Sequence, residues 1–376
     1  MPWTDRYLSV RDRWLSSPRF QRWAAAFPLT RPTARKRARA LFDVCAGFVY
    51  SQILFACVRL KLFDLLATGP LTAPSIAAKL NLPPDSTERL LEAAVSLRLV
   101  EKRTAGRFGL GALGAAMVGN PAVGAMVEHH SLLYADLHDP VRLLRGEQSQ
   151  TALARYWAYA HSDKPAGLPA AQIADYTALM GNSLPLVADE ILDAYPLHKH
   201  RSLLDVGGGD GSFLKAAAAR SEHLKLMLFD LPPVAARAAQ RFTTLGLDSR
   251  ARAVGGDFLK DPLPHGADVI SLIRVIHDHS DAAAAVVLAA AQRALPPNGV
   301  LLLAEPMMGT PGAEPVGDAY FGFYLLAMGS GRPRTPQALQ AMLCAAGFAS
   351  AQLVRTRQPL QSRLIVARKA ADGKVS

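Results

Sequence analysis

The sequence predicts an α/β chain in two parts, a mainly helical N-terminal half followed by a doubly wound, mostly parallel sheet. Three observations predict it. From Ser202 onward, short apolar runs alternate with helical stretches, the rhythm of strands joined by crossover helices. Before that point the pattern is helix, turn, helix and small hairpin. The first strand run leads directly into the loop Gly207-Gly208-Gly209-Asp210-Gly211, at the place where open α/β sheets bind ligands, beyond the carboxyl ends of their strands.

The elements follow in order. Residues 1–40 form a basic arm rich in Trp and Arg, and Leu41 to about Leu65 reads as one long apolar helix. Thr72 can cap a helix whose first turn contains Pro74, and Asn81 and Pro83 then break the chain. Ser86 to Leu99 carries Leu90, Leu91, Ala94, Val95 and Leu97 close to helical spacing. Val100 to Leu110 reads as a hairpin turning at Ala105-Gly106, which completes a winged-helix pattern. Residues from about 120 to 198 look mainly helical, with a hinge at Pro196 to Arg201. The expected divisions are an arm over 1–40, a helical winged-helix domain over 41–198, a sheet domain over 199–370 and a tail over 371–376. Strands are expected at Ser202 to Val206, Lys225 to Phe229, Ala251 to Val254, Asp268 to Ile273, Val300 to Leu303, Ala351 to Val354 and Leu364 to Ala367. Helices are expected at Phe213 to Arg220, Pro233 to Leu245, Asp281 to Leu295 and Pro336 to Ala346.

Composition narrows the class. The chain has 376 residues, half of them hydrophobic and about a fifth charged, enough for two cores and incompatible with disorder as a whole. Cys45, Cys57 and Cys344 are scattered, with no CxxC pair, so neither a disulfide framework nor a zinc site is indicated. Arg residues continue throughout the N-terminus, unlike an export signal, so a cytoplasmic location is expected. The uncharged run Val44 to Val58 spans 15 residues, short for a bilayer, and is expected as a buried core or interface helix. Most of the net charge of +11 sits in residues 1–40, where ten Arg and Lys stand against Asp5 and Asp12 beside Trp3, Trp14 and Trp23. That mixture suits an interfacial helix on anionic lipid, and equally a solvated arm packing on a partner subunit.

The glycine loop follows an apolar strand run and opens a helix, so a ligand can approach its backbone without meeting a Cβ. Asp230 lies 21 residues after Gly209 at the end of the second strand run, a spacing that suits a carboxylate accepting from ribose hydroxyls. The glycines run G-x-G-x-G rather than the dinucleotide pattern G-x-G-x-x-G. Asp257 ends the third strand run, where it can accept from an adenine amine while Phe258 packs on the ring face. These residues describe an adenosine pocket with little need of a pyrophosphate site. The fourth strand run ends in Arg274-Val275-Ile276-His277-Asp278-His279, so His277 can reach the same cleft. A neutral imidazole there can accept the proton of a substrate hydroxyl, and a structural histidine fits the spacing as well. His279 could exchange roles with it and Asp278 could orient either. Glu305, ending the fifth strand run, can orient the imidazole or serve as an ordinary capping carboxylate.

On these residues the sequence resembles the plant-type O-methyltransferase family, whose members join a winged-helix dimerisation domain to a Rossmann-type domain that uses S-adenosyl-L-methionine (SAM). The resemblance is carried by Leu204 to Gly211, Phe229-Asp230-Leu231-Pro232, Gly256-Asp257-Phe258, Ile276 to Asp281, Ala294 to Gly299 and Arg332-Pro333-Arg334-Thr335, and it covers nearly the whole chain. It implies SAM as cofactor, no metal, and a homodimer through the long N-terminal helices. It places the methionine moiety at Gly207 and Gly209, ribose at Asp230 and adenine at Asp257 and Phe258, with Asp205, Leu231 and Arg274 in the same cofactor site. It implies His277 as general base with Asp278 and Glu305 beside it. Plant members flank that histidine with two glutamates. Glu305 matches the first, whereas the second falls at Pro333, which cannot serve.

Within the family the chain is more closely similar to a purple-bacterial carotenoid branch, the hydroxyneurosporene and demethylspheroidene O-methyltransferases. Ala40 to Asp43, Gly47 to Gln52, His129 to Val141 and Asp318 to Tyr324 carry that similarity. It implies, as acceptor, the tertiary hydroxyl of a 1-hydroxy carotenoid. Such an alcohol ionises far above the usual pKa of histidine, so positioning should matter more than base strength. An apolar pocket is then expected, to which His130, Tyr134, Met180, Tyr320, Phe323 and Met328 could contribute, each equally readable as core. A membrane-dissolved acceptor would give the basic arm a docking role at the photosynthetic membrane. One rival keeps the cofactor and methylates another apolar acceptor, such as a bacteriochlorophyll precursor. The other is a DNA-binding regulator using Arg89, Arg98, Lys102, Arg103 and Arg107, against which stand Glu88, Glu92, Glu101 and an adenosine pocket without a role.

Overall fold

A computed structural model describes residues 3–148, 150–157, 181, 184–359 and 362–371. Met180 and the tail beyond residue 371 lie outside the described residues. Two compact units divide at Asn120/Pro121.

The first unit contains α1 (Trp3–Leu15), α2 (Pro18–Ala26), α3 (Arg31–Arg59), α4 (Leu62–Ala67), β1 (Leu71–Thr72), α5 (Ala73–Leu80), α6 (Pro84–Ser96), β2 (Val100–Lys102), β3 (Arg107–Leu110) and α7 (Ala112–Val118). The three strands pair antiparallel in the order β1-β3-β2. The expected hairpin turn is present, with Ala105 and Gly106 both at positive φ. Cys57, Leu62, Ile76, Leu91, Ala94 and Val100 form the buried core of this winged helix. Thr72 occupies the N-cap position of α5, but its side chain makes no capping bond and its backbone pairs with Arg107 in the small sheet. Lys102 pairs with Glu92 and Arg103 with Glu101 within the unit, whereas Arg107 bonds the carbonyl and hydroxyl of Thr104.

The long apolar helix differs from expectation. Instead of running from Leu41 to about Leu65, α3 starts at Arg31 within the arm and ends at Arg59, where Lys61 at φ +54° separates it from α4, and of its 29 residues Cys57 alone is buried. Leu41, Phe42, Val44 and Phe48 are 68, 63, 80 and 72 % exposed. A buried core helix is therefore excluded within this chain, and the interface reading remains. With a mean hydropathy of 1.8 over its most apolar 18-residue window, α3 is also long and apolar enough, by length and composition only, to cross a bilayer.

The second unit begins with α8 (Pro121–Asp136), α9 (Pro140–Leu144), α10 (Ala152–Tyr156) and α11 (184–194). Its alternating part runs β4 (Ser202–Val206), α12 (Ser212–Arg220), β5 (Lys225–Asp230), α13 (Pro232–Thr244), β6 (Ala251–Gly255), β7 (Val269–Ile273), α14 (Asp281–Ala294), β8 (Val300–Glu305), α15 (Phe321–Met328), α16 (Pro336–Ala345), β9 (Ser350–Val354) and β10 (Arg363–Arg368). The seven strands lie in the order β6-β5-β4-β7-β8-β10-β9, with β10 antiparallel to both neighbours. Every residue of β7 and β8 is buried, as parallel strands covered on both faces require. The helices start where local chemistry allows: Pro232 opens α13, and the hydroxyls of Ser280 and Thr335 cap α14 and α16. The sequence groups residues 121–198 with the winged helix, whereas packing groups their described part with the sheet. Leu133, Leu143 and Trp157 share a cluster with Tyr324, Leu325 and Met328, and Val187 and Ile191 share one with Leu203 and Phe213.

Candidate active site

Strand order reverses between β4 and β7, and a cleft of about 1050 Å³, including the part open to solvent, runs along the carboxyl ends of the strands there. Asp205, Gly207 and Gly209 line it from β4 and its loop, Asp230 and Leu231 from the end of β5, Asp257 and Phe258 after β6, and Arg274 and Asp278 after β7. All eight residues expected at a cofactor therefore face one cleft. The loop needs its glycines, because Gly207 and Gly209 have φ of +69° and +59°. A Cβ at Gly209 would meet nothing within 4 Å, so the backbone there borders open space.

Asp230 closes the loop on the strand end. Its carboxylate accepts from the backbone N–H of Gly209 at 2.8 Å and of Leu231 at 2.7 Å. Burial nevertheless pushes its carboxyl up to about 6. Asp205 accepts from the Ser271 hydroxyl at 2.6 Å through one oxygen, and its other oxygen is buried without a hydrogen-bond partner. Burial pushes this carboxyl up to about 7, with the Asp230 charge adding to the effect. Two desolvated carboxylates beside an open glycine backbone suit a ligand bearing positive charge and hydroxyl donors. Asp257 accepts from the backbone N–H of Leu259 at 3.0 Å, and Phe258 stands edge-on to His279 with centroids 5.4 Å apart.

The chain leaves β7 through Arg274 at φ +59°, a left-handed conformation unusual for arginine, and turns into a short 3-10 segment carrying His277. His277 is buried and, against the expectation that it reaches the cleft, is not among the lining residues, although Val275, Asp278 and His279 on either side of it are. Its Nδ1 lies 2.5 Å from Glu305 Oε2 and its Nε2 3.1 Å from Asp278 Oδ1. The other Glu305 oxygen accepts from the backbone N–H groups of Val275 and Ile276 at 3.0 and 2.7 Å. One carboxylate thus fixes both the turn and the ring it carries. Burial disfavours the imidazolium, but Asp278 and Glu305 outweigh it and raise the His277 pKa above its usual value. The position matching the plant glutamate remains Pro333, and the second carboxylate on the ring comes from Asp278. His279 is a different group, because burial lowers its pKa.

Of the residues expected in an acceptor pocket, His130 bonds the Tyr320 hydroxyl at 2.8 Å and lies edge-on to Tyr134. Met328 is buried in a cluster with Tyr324 and Trp157, and Phe323 is 37 % exposed. Sequence reasoning missed the adjoining triad, in which the Tyr324 hydroxyl bonds His129 Nε2 at 2.7 Å and accepts from Trp157 Nε1 at 2.8 Å. Trp157 lines the cleft, and burial lowers the His129 pKa to about 4, so its ring is neutral. Two consecutive histidines on one helix were the available signal, since they point to different sides. Also missed was Arg241, whose ion pair with Asp210 holds the glycine loop from α13.

A family model for the O-methyltransferase domain matches residues 134–349, and one for the O-methyltransferase dimerisation domain matches residues 42–120. The chain is 41 % identical to a demethylspheroidene O-methyltransferase of Cereibacter sphaeroides over 96 % of its own length and 94 % of the relative's. It is 30 % identical to an acetylserotonin O-methyltransferase of Mus musculus, with 87 % of each chain covered. Among solved structures, human N-acetylserotonin methyltransferase in complex with SAM superposes with a TM-score of 0.72 at 26 % identity, covering 89 % of this chain and 98 % of that one.

Proposed function

The chain belongs to the O-methyltransferase family, which uses SAM and dimerises through the domain matched at residues 42–120, and on that premise we propose that it methylates the tertiary hydroxyl of a 1-hydroxy carotenoid. The observation that carries the acceptor class is the 41 % identity, over nearly the full length of both chains, to a demethylspheroidene O-methyltransferase. The desolvated carboxylates of Asp205 and Asp230, together with the open backbone at Gly209, fit SAM, with its sulfonium, ammonium and ribose hydroxyls. Asp230 then takes the ribose, Asp257 and Phe258 the adenine, and Gly207, Gly209, Leu231 and Arg274 complete the site. When bound, SAM supplies an activated methyl group. His277 takes the proton of the acceptor hydroxyl at Nε2 while Glu305 holds Nδ1, and Asp278 steadies the resulting imidazolium. The His130, Tyr134 and Tyr320 group and Trp157 form the acceptor side, with Met328 in the same buried cluster as Trp157.

Purified protein given SAM and parallel 1-hydroxy carotenoid and tetrapyrrole acceptors is expected to turn over the carotenoid alone. Turnover of the tetrapyrrole instead would overturn the acceptor assignment.

The arm supports a peripheral membrane site for this reaction. Trp3, Tyr7, Val10 and Trp14 recur at helical spacing on α1 and are 88, 70, 51 and 58 % exposed, with the arm's arginines beside them. Removing residues 1–40 is expected to lower binding to phosphatidylglycerol vesicles and turnover of vesicle-dissolved acceptor, without changing turnover of detergent-solubilised acceptor. Unchanged binding and vesicle turnover would sink the idea.

A further inference from the structure

Glu305 holds the His277 turn from the sheet side, and a strap formed by residues 331–334 holds it from the other. Arg334 is 5 % exposed. Its guanidinium donates to the backbone carbonyl of Ile276 at 2.9 Å, to that of His279 at 2.7 Å, and to Asp281 Oδ1 at 2.9 Å. It thereby ties the residue before His277 to the residue after Asp278 and to the first turn of α14. Between those two anchors, the His277 carbonyl accepts from the backbone N–H of Arg332 at 2.9 Å. Gly331 permits this approach: its φ is +74°, and a Cβ there would lie 2.0 Å from the His277 oxygen. The strap is itself anchored, since the Arg334 carbonyl accepts from the N–H of Met308 just beyond β8.

Without these bonds the 276–279 turn would be held mainly by Glu305, at its first residues and at the His277 ring. It is a single 3-10 turn entered through a left-handed arginine, and such conformations persist where surrounding contacts over-determine them. We propose that Arg334 is a positioning residue for methyl transfer, fixing through three backbone and side-chain acceptors the turn that aims His277 Nε2 at the acceptor hydroxyl. This rests on the reading of His277 as the base. A planar fork of donors suits the task because it reaches two carbonyls and a carboxylate at once, which a lysine ammonium on a flexible stem does not.

The test uses the full chain with SAM and the carotenoid acceptor, and compares Arg334→Gln, Arg334→Lys, His277→Ala and the double variant. Arg334→Gln is expected to lower kcat about 30- to 100-fold, leaving acceptor KM unchanged and weakening SAM binding far less than it lowers kcat, because Asp278 and His279 on the same turn also line the cofactor cleft. Guanidinium added to the buffer should restore part of its kcat and leave the wild type unaffected. Arg334→Lys should fall between the two. Adding Arg334→Gln to His277→Ala should cost little more than His277→Ala alone, because both act through one group. A wild-type kcat in Arg334→Gln, or a loss of kcat matched by an equal loss of SAM affinity, would overturn the proposal. Should Arg334→Gln not fold, Arg334→Lys decides on the same split between kcat and KM. Normal turnover by His277→Ala would instead remove the base reading, whereas an inactive His277→Ala beside an unaffected Arg334→Gln would remove only the positioning role.

Discussion

Replacing His277 by alanine is expected to lower kcat by about two to four orders of magnitude, the range of a lost positioned base, with SAM binding retained. The ring has both nitrogens engaged by carboxylates, Nδ1 by Glu305 and Nε2 by Asp278, and its bonds to the cofactor cleft are indirect. Its removal therefore touches proton transfer and leaves the Asp205, Asp230 and Asp257 wall in place. The same geometry sets the pH dependence. The pKa of His277 is raised above 6.5, so the ring carries a proton at the acid end and must lose the one on Nε2 before it can accept another. Turnover at saturating substrates should rise with pH through that raised pKa and then level off, and the rising limb should vanish in His277→Ala. Rapid-quench turnover across the pH range, with SAM affinity measured by calorimetry on the same samples, checks both parts. An alanine variant with wild-type turnover would show that another group takes the proton.

Glu305→Ala is expected to be the most destabilising single change at the site. Glu305 is 2 % exposed and accepts three hydrogen bonds, from Val275 N–H, Ile276 N–H and the His277 ring. Deleting it strands two buried backbone donors and leaves the imidazole facing a void. The combined cost is about 3–5 kcal/mol, by the penalties for unsatisfied buried donors and for breaking a buried charge pair. The urea midpoint should fall with the slope preserved, and kcat should fall with it because the turn bearing His277 is no longer fixed. Glu305→Gln keeps the volume and an acceptor oxygen, so it should recover much of the stability and less of the activity. Equal midpoints for wild type and Glu305→Ala would show that the carboxylate does not hold the turn.

The strands and the cofactor wall were legible because their signals are local. Each of the seven strands is a short apolar run bounded by turn residues, and each appears in the sheet with ends displaced by at most two residues. Asp230 and Asp257 could be placed because they stand at or just after the ends of neighbouring parallel strands, where the cleft of an open α/β sheet lies. What the sequence did not disclose depends on contacts between distant segments. The triad of His129, Trp157 and Tyr324 joins α8, the end of α10 and α15, and beyond the paired histidines nothing in the sequence says which distant residues they meet. Arg334 reaches back more than fifty positions to the His277 turn, and in the sequence it reads as an ordinary turn arginine. The expected burial of the long apolar helix failed for a related reason: apolar composition fixes that a face will be covered, but not by what. In the single chain Leu41, Phe42, Val44 and Phe48 face outward, on the segment where the dimerisation model begins.

The measurement that tests the central claim most directly is the position of the transferred group. Wild-type protein is given SAM carrying a deuterated methyl group and a 1-hydroxy carotenoid, and the product is resolved by mass spectrometry and NMR. The account predicts one labelled methyl per carotenoid, attached through the former hydroxyl oxygen as an ether, with none formed by His277→Ala on the same timescale. Label on a carbon atom, or no transfer from a protein shown to bind SAM, would contradict it.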